Sequence, residues 1–447
     1  MKAETKGDAE NTNRSADTDY NPYDHREETN KRVSNFGSCA NMVKSAIGTG
    51  IFTLPNAFAA VGMYTGIGGI FTLGICLTIT LHMLVKTHYK MCTIEKKSFL
   101  TYEQLCQSVL ATGALKDTKI SRCLVLLVNV TLFASYIGIS SVYVVFISGI
   151  IQEIVDPGKS VGQGSYALML FPFLFLVNLM RNLNDITPLS IMGNLFVILS
   201  CGIGFIYAVK DGFGDTWLSI QPDMKVYPRF IGAIFFSLCS PGLILEIERN
   251  MKKPWDYEKP CGILDVGMIF VMIFYLIVSG AVYAKWGQDS KPNFIRNHPE
   301  LDAATLAAFI MQVLSIYFTY GLMCYLPVLI IHEKYVINSI ERSTHKRRTE
   351  LLWFFLLRLG VTVITCGLGA AVPRLEIFTG LVGAICLGVL GAVIPVILYM
   401  VVNAGEYGPY KWKLYASGVL LFIGIFCTLC ATVVYSIDLI NFLLYGK

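Results

Sequence analysis

Long apolar runs recur along almost the whole chain, and they constrain its fold more than any other feature. A helix needs about 20 apolar residues to cross the hydrocarbon core of a bilayer. Such runs predict eleven membrane-crossing helices, here called spans and numbered in chain order. They cover residues 39–61, 65–86, 123–151, 166–184, 188–209, 229–248, 261–284, 303–331, 351–372, 376–402 and 414–442. The pattern predicts an all-α, polytopic membrane protein.

The charge content agrees with a lipid environment. Charged residues make up 15% of the 447-residue chain, whereas a soluble domain carries about 25%. Residues 1–35 are polar and contain no apolar core of a signal peptide. They are therefore predicted to be a disordered cytosolic tail. Residues 36–447 are predicted to form one transmembrane domain.

Several classes of protein are excluded by what the loops and spans contain. The basic residues flank apolar runs and do not alternate with stacking aromatics, so no nucleic-acid partner is expected. The sequence has neither a nucleotide-binding loop nor a histidine cluster suited to a metal ion. We therefore expect no enzymatic activity, no cofactor and no metal site.

The distribution of Lys and Arg predicts the orientation of the chain. Cytosolic loops carry an excess of these residues. If the N-terminus is cytosolic, the cytosolic loops hold more than twice as many Lys and Arg as the opposite loops. An odd number of spans then places the C-terminus on the extracytosolic side. The Asn182-Leu183-Asn184-Asp185 turn and Pro188 divide span 4 from span 5.

Two of the predicted spans contain residues that weaken a helix. Span 1 includes Gly48 and Gly50, and each Gly costs about 1 kcal/mol of helix propensity relative to Ala. Span 6 includes Pro241 and Gly242, where the proline removes an amide donor and the glycine adds backbone freedom. Polar backbone groups freed in lipid are costly unless they face protein or a wet cavity. The two interruptions therefore predict a polar cavity.

The positions of the two interruptions match. Spans 1 and 6 are the first members of two consecutive sets of five, and five crossings reverse the direction in which the second set enters the membrane. Interrupted helices at corresponding positions of two repeats mark the binding sites of secondary transporters. Alternatively, the glycines serve close helix packing and the proline is a simple kink. The coincidence of two matching positions favours a binding site.

The helix ends at the interruptions suit the two charges of an amino acid. Free N–H groups at the start of a half-helix suit a carboxylate, and the Thr49 hydroxyl is an extra donor. Carbonyls of an unwound stretch of span 6 suit an ammonium group. The predicted ligands are Gly48, Thr49, Gly50 and Ile51 in span 1 and Phe236, Ser237, Leu238 and Cys239 in span 6.

Two pairs of tyrosines each share one face of a predicted span. Tyr136 and Tyr143 lie in span 3, and Tyr317 and Tyr320 lie in span 8. Tyr136 and Tyr320 are the predicted substrate contacts, through a phenol that reaches the carboxylate or gates the cavity. Aromatic packing with a satisfied hydroxyl is the alternative.

Ionisable residues near the ends of spans are candidates for proton transfer. Glu246 and Glu248 close span 6, and Asp265 begins span 7 beside several basic residues. Ion pairs at the membrane interface are therefore favoured over a proton relay. His82, near the end of span 2, is another candidate proton carrier, with an interfacial role as its alternative.

Three motifs resemble the amino acid/auxin permease family, and most of all its proton-assisted amino acid transporter branch. They are Met42-Val43-Lys44-Ser45-Ala46-Ile47-Gly48-Thr49-Gly50-Ile51 with Leu54-Pro55, Glu248-Arg249-Asn250-Met251-Lys252-Lys253-Pro254, and Asn21-Pro22-Tyr23-Asp24-His25-Arg26. The resemblance implies eleven spans in the inverted 5+5 repeat of the LeuT fold, with spans 1 and 6 interrupted. It also implies symport of small neutral amino acids with protons.

Two positions depart from the pattern of that branch. Its members carry a histidine, proposed as the proton-linked group, a few residues before the lysine of span 1. Here Asn41 occupies this coupling position, and its side chain does not titrate. Members also tend to have an acidic residue followed by Gly in span 6, where this chain has Cys239-Ser240. These departures leave proton coupling open.

The sequence thus predicts a secondary active or facilitative transporter that works by alternating access. Its expected partners are a small neutral amino acid, the lipid bilayer and, if transport is coupled, protons. The expected location is the plasma membrane or a lysosomal or endosomal membrane. A signalling protein that senses amino acids with little transport is the alternative function, and a channel is a third.

Overall fold

A computed structural model gives the fold of most of the chain. It describes residues 20–25, 32–112, 118–180, 183–210, 212–214, 220, 223–298, 302–332, 346–372, 374–405 and 408–445. Residues 181–182, which include the start of the predicted turn between spans 4 and 5, lie outside the described residues. Within these ranges the regular structure is helical, apart from two isolated β-bridges.

Nine helical segments among the described residues are long and apolar enough to cross a bilayer. Seven of them are continuous and correspond to predicted spans. Span 2 is Met63–Glu95, span 3 is Lys119–Val155, span 5 is Leu183–Lys210, span 7 is Ile263–Trp286, span 8 is Ala303–Ile331, span 9 is Lys346–Ala371 and span 11 is Trp412–Tyr445. The helix of span 5 includes position 188, so the predicted boundary at Pro188 lies inside it.

Spans 1 and 6 are interrupted as predicted. Span 1 consists of Asn35–Ala46 and Gly50–Val61. Span 6 consists of Val226–Leu238 and Pro241–Arg249. The first half of span 1 contacts the second half of span 6, and the second half of span 1 contacts the first half of span 6. The two spans therefore cross in opposite directions with their interruptions side by side.

Span 4 has an irregularity that the hydropathy pattern does not predict. It consists of two short helices, Gln163–Met169 and Phe171–Asn178, with Pro172 in the first turn of the second. Proline lacks the N–H that would continue the hydrogen-bond ladder of the first helix. At the other end of the span, Arg358 of span 9 donates to the carbonyl of Met180 at 3.1 Å. A cation is favourable at a helix C-terminus.

Span 10 was predicted as one helix and instead has three parts. Leu375–Val382 is α-helical, Gly383–Val393 is a π-helix and Ile394–Val402 is α-helical again. The π-helix packs against the first half of span 6. A Cβ atom on Gly383 would lie 2.2 Å from the carbonyl oxygen of Gly232. Glycine is therefore required for this close approach of the two backbones.

The N-terminal segment packs on one end of the bundle, which we call the tail side. The ring of Tyr23 stacks on Tyr89 at 4.9 Å and approaches Trp255 at 6.4 Å. The amide of Val33 donates to Asn250 at 2.8 Å, and the carbonyl of Val33 accepts from Lys252 at 3.0 Å. These parts of the tail, predicted as disordered, thus contact the end of span 2 and the segment after span 6.

Candidate functional site

A cavity of about 40 Å³ lies at the interruptions of spans 1 and 6. Spans 3, 8 and 10 supply the rest of its wall, mostly with apolar side chains. A volume of this size holds a few water molecules, so entry of a larger ligand requires the wall to move. Its lining residues are Ser45, Ala46, Gly48, Thr49, Gly50, Leu132, Ser135, Tyr136, Ile139, Tyr143, Phe236, Cys239, Ser240, Pro241, Gly242, Leu243, Met323, Leu387 and Leu390.

The interruption of span 1 leaves amides available at the cavity. Helical geometry is lost at Ile47, and the Gly48 amide turns back to the Ala46 carbonyl at 3.0 Å. The next half-helix starts at Gly50. Within the described chain, the amides of Thr49, Gly50 and Ile51 donate to no backbone carbonyl. The first amides of a helix lack intrahelical partners, and here two of these three residues line the cavity.

The interruption of span 6 is shorter and lies further along the chain than the predicted unwound stretch. Phe236, Ser237 and Leu238 form the last helical turn, and only Cys239 and Ser240 have non-helical dihedrals. The ladder continues to Cys239, whose amide donates to Phe235 at 3.2 Å. It stops there because Ser240, which precedes Pro241, is disfavoured in helical geometry, and Pro241 itself has no amide to give to the Ser237 carbonyl. The carbonyls of the predicted residues are therefore helix-end carbonyls.

Three contacts join the two interruptions. The hydroxyls of Ser45 and Ser240 lie 3.0 Å apart. A Cβ on Gly50 would lie 2.7 Å from the Ser237 hydroxyl oxygen and 2.9 Å from its Cα. The hydroxyl of Tyr275 in span 7 donates towards the carbonyls of Ala46, at 3.0 Å, and Ser237, at 3.4 Å. The interrupted backbones are thus in direct contact.

Sequence reasoning missed Tyr275. Its ring is fully buried in span 7, and nothing in the apolar run around it distinguishes it from a packing residue. A possible signal was the polar hydroxyl itself, because a buried phenol needs a partner. The partner could be identified only once the position of the two helix ends was known.

The structure brings six of the ten predicted ligands to the cavity wall and places four elsewhere. Those at the wall are Gly48, Thr49, Gly50, Phe236, Cys239 and Tyr136; Ile51, Ser237, Leu238 and Tyr320 are not among the lining residues. The Tyr320 hydroxyl instead pairs with Thr365 of span 9 at 2.7 Å. Met323, about one turn later in span 8, takes the place predicted for Tyr320.

Two buried hydroxyls at the interruptions have no hydrogen-bond partner among the described residues. They belong to Thr49 and Ser237, and Thr49 lines the cavity. An unsatisfied buried hydroxyl costs about 1–3 kcal/mol. Tyr136 and Tyr143 point their hydroxyls towards the same region, since these oxygens lie 2.3 Å and 3.4 Å from Cβ positions built on Gly242 and Gly48. The wall therefore offers hydroxyls as well as backbone groups to a ligand.

The candidates for the coupling position and for proton transfer lie outside the cavity wall. Asn41 is exposed on the first half of span 1. Asp265 pairs with His82 at 2.7 Å, whereas the basic loop after span 6 had been expected to supply its partner. Glu246 pairs with Arg249 at 3.6 Å, as expected for an interfacial ion pair. Among the described residues, none that lines the cavity is charged.

The sequence of the chain matches a family of membrane proteins and several of its members. The model of the family "Transmembrane amino acid transporter protein" matches residues 31–440. The chain is 26% identical over 414 residues to "Proton-coupled amino acid transporter-like protein pathetic" of Drosophila melanogaster, covering 92% of the chain and 86% of that relative. It is 23% identical over 409 residues to "Amino acid transporter AVT3C" of Arabidopsis thaliana, covering 85% of the chain and 86% of that relative.

A solved structure agrees with the fold. The chain is similar to that in "Crystal structure of MhsT in complex with L-phenylalanine", with a TM-score of 0.50 and 12% sequence identity. The match covers 91% of this chain and all of the other. At this identity the likeness concerns the fold alone. It supports the predicted LeuT-like arrangement with interrupted spans 1 and 6.

Proposed function

From the premise that the chain belongs to the transmembrane amino acid transporter family, we propose that it carries small neutral amino acids by alternating access. The family match and the curated relatives make it an integral membrane amino acid transporter. The finer statements are our proposal: the class of substrate, the site and the orientation. One observation supports the class of substrate and the site most, namely two helices interrupted side by side around an uncharged cavity. The orientation depends on the Lys and Arg bias of the loops.

The uncharged wall favours a neutral side chain on the substrate. A charged side chain buried there would lose its hydration without gaining a counter-charge, which is costly in a low-dielectric site. A zwitterionic backbone differs, because its two charges meet the partial charges of helix ends. Amides of Thr49 and Gly50 would hold the carboxylate, with the Thr49 hydroxyl as a further donor. Helix-end carbonyls of span 6 would hold the ammonium.

The small volume and the apolar wall favour a small substrate. Leu132, Ile139, Met323, Leu387 and Leu390 would surround its side chain. A bulky side chain would require these residues to move further than a small one. We place the tail side, with the N-terminus, in the cytosol and the C-terminus on the extracytosolic side, in the plasma membrane or an endolysosomal membrane.

Uptake of labelled amino acids into proteoliposomes tests the proposal. We expect saturable uptake of small neutral amino acids, inhibited by unlabelled neutral amino acids and unaffected by acidic or basic ones. Uptake at equal pH on both sides would indicate a facilitator, and uptake that needs a pH gradient would indicate proton coupling. Binding without flux would contradict the proposal and favour an amino acid sensor. Flux that does not saturate would favour a channel.

A further inference from the structure

Glu376, in the first turn of span 10, lies between two cavities on the side opposite the tail. One cavity, of about 260 Å³, lies between span 3, span 10 and the loop after span 7. The other, of about 380 Å³, lies between spans 1, 6, 10 and 11. Arg374 and Glu376 line both. The Glu376 side chain is exposed within this region, so water in either cavity can reach its carboxylate.

The charged groups near Glu376 come from spans 3, 6, 10 and 11 and from the loop after span 7. Arg374 precedes it in the same segment, and span 6 contributes Arg229. Span 11 contributes Asp438 as well as Tyr435, whose hydroxyl donates to the Arg229 carbonyl at 2.7 Å. The first cavity also contains Arg296, which pairs with Glu153 of span 3 at 2.8 Å.

The two other carboxylates near Glu376, those of Asp438 and Glu153, are paired with arginines. Asp438 accepts two hydrogen bonds from Arg229, both of 2.8 Å. Arg296 pairs with the carboxylate of Glu153. Burial lowers the pKa of Arg296 below its ordinary value, and the charge of Glu153 only partly offsets this effect. Hydrogen bonds to a carboxylate favour its ionised form. Across the described residues, no ion pair within 4.0 Å holds Glu376 in this way, so it lacks the arginine contacts that hold the other two carboxylates.

Proton binding at this position changes the charge of the whole region. With every group ionised, the three arginines balance the three carboxylates. A proton on Glu376 leaves an excess positive charge between the two cavities. An excess positive charge attracts anionic groups. A zwitterionic amino acid has no net charge, so this excess would act on its orientation, with the carboxylate turned towards the arginines and the ammonium away from them.

We propose that Glu376 is a proton-binding site of the transporter, and that its protonation from the extracytosolic solution promotes entry of the substrate. This inference rests on the proposed function. It assigns a titratable group to a chain in which Asn41 and Cys239 occupy the expected coupling positions. The proton comes from extracytosolic water and binds one oxygen of the Glu376 carboxylate. Its effect is on KM, because Glu376 does not line the cavity at the helix interruptions.

The test measures KM for a transported neutral amino acid in proteoliposomes, with the external pH varied between about 4 and about 7.5, a range that begins near the ordinary pKa of a glutamate. In the wild type, KM should fall by about fivefold as the external pH falls, the effect of roughly 1 kcal/mol of charge interaction. E376Q, which resembles the protonated form, should have the low KM at every pH. E376D should retain the pH dependence.

Matched variants keep the test decisive. D289N removes an exposed carboxylate from the loop after span 7 and should behave as the wild type does. If E376Q is not recovered folded, R374Q replaces it: losing this cation should move the midpoint of the pH dependence to higher pH. A pH-dependent KM in E376Q, an unmoved midpoint in R374Q or a pH-independent KM in the wild type would overturn the inference. Absence of saturable uptake by the wild type would instead overturn the proposed function.

Discussion

Gly50 is constrained by contact as well as by conformation. The sequence identifies it as a weak point in a helix, yet in the structure it begins a helix. Its Cα faces Ser237 so closely that a Cβ would lie 2.9 Å from the Ser237 Cα. A backbone atom cannot move aside as the end of a flexible side chain can. Gly50 therefore sets the distance between the two interrupted spans.

Gly50→Ala should reduce uptake by at least tenfold, because the added methyl group pushes span 1 away from span 6. Gly68→Ala is the matched control, since nothing lies within 4 Å of a Cβ built on Gly68. In that helix Ala is favoured over Gly by about 1 kcal/mol, so uptake should be unchanged. Initial uptake rates of both variants, normalised to folded protein, check this. Normal uptake by Gly50→Ala would mean that the two interruptions are not in functional contact.

At the scale of single residues, prediction was most successful where the covalent structure of a residue determines the conformation or hydrogen bonding of the backbone. Gly48 and Gly50 weaken a helix wherever they stand, and Pro241 removes an amide in any context. The interruptions were therefore predictable. That Met323 and not Tyr320 lines the cavity was not predictable. Helical periodicity assigns a residue to a face of a helix without saying which neighbour covers that face. The same reason hid the contact between Asp265 and His82.

At the scale of elements, span 7 connects the two interrupted spans through Tyr275. Its hydroxyl lies within hydrogen-bond distance of a carbonyl from each of them. Carbonyls at helix ends have lost their intrahelical donors. A donor from a third span thus partly replaces the missing amides and fixes the orientation of both ends.

Tyr275→Phe keeps the ring and removes this donor. We expect KM to rise by about fivefold, corresponding to the roughly 1 kcal/mol of one hydrogen bond, because the helix ends that would bind the substrate lose their alignment. Tyr320→Phe is the control, since its hydroxyl pairs with Thr365 away from the cavity. Substrate-dependent uptake measured for both variants distinguishes the two tyrosines. A larger rise in KM for Tyr320→Phe would restore Tyr320 as a substrate contact and exclude this role for Tyr275.

The irregular parts of spans 4 and 10 mark the limit of prediction for elements. Hydropathy reports that a segment is apolar enough to cross the membrane, and both segments are. It does not report hydrogen-bond spacing, so the π-helix Gly383–Val393 reads as an ordinary span. That form depends on tertiary packing, including the approach of Gly383 to Gly232. Pro172 is a local signal that an interruption was possible in span 4.

For the whole molecule, an odd number of membrane crossings places the two termini on opposite sides of the membrane. The tail, the end of span 2 and the segment after span 6 meet on one side of the bundle. The charge bias of the loops predicts that this side faces the cytosol. The C-terminus would then lie on the other side of the membrane.

Protease protection in sealed endoplasmic reticulum microsomes tests this orientation. Protease added outside should remove a tag at the N-terminus and leave a tag at the C-terminus intact, because only the cytosolic side is exposed. Detergent should expose both tags and serves as the control. Removal of both tags from sealed microsomes would mean an even number of crossings and would contradict the eleven spans.

The overall architecture was more predictable than the details of the site. Eleven apolar runs and two matching interruptions suffice for the arrangement of the spans, because lipid allows few ways to satisfy backbone groups. The contacts of the tail were not predicted, since Tyr23 meets Tyr89 and Trp255 from distant parts of the sequence. A polar segment shows its partners only when the fold brings them together.

The phenol of Tyr275 has one hydrogen for two acceptors. At any instant it satisfies one carbonyl well and the other poorly, which the unequal distances of 3.0 and 3.4 Å reflect. If one helix end moves away, the hydrogen can pass to the other, so the loss at one end is offset at the other. A rotation of a single C–O bond thus lowers the free-energy cost of displacing either helix end. Neither hydrogen-bonded arrangement is a deep free-energy minimum.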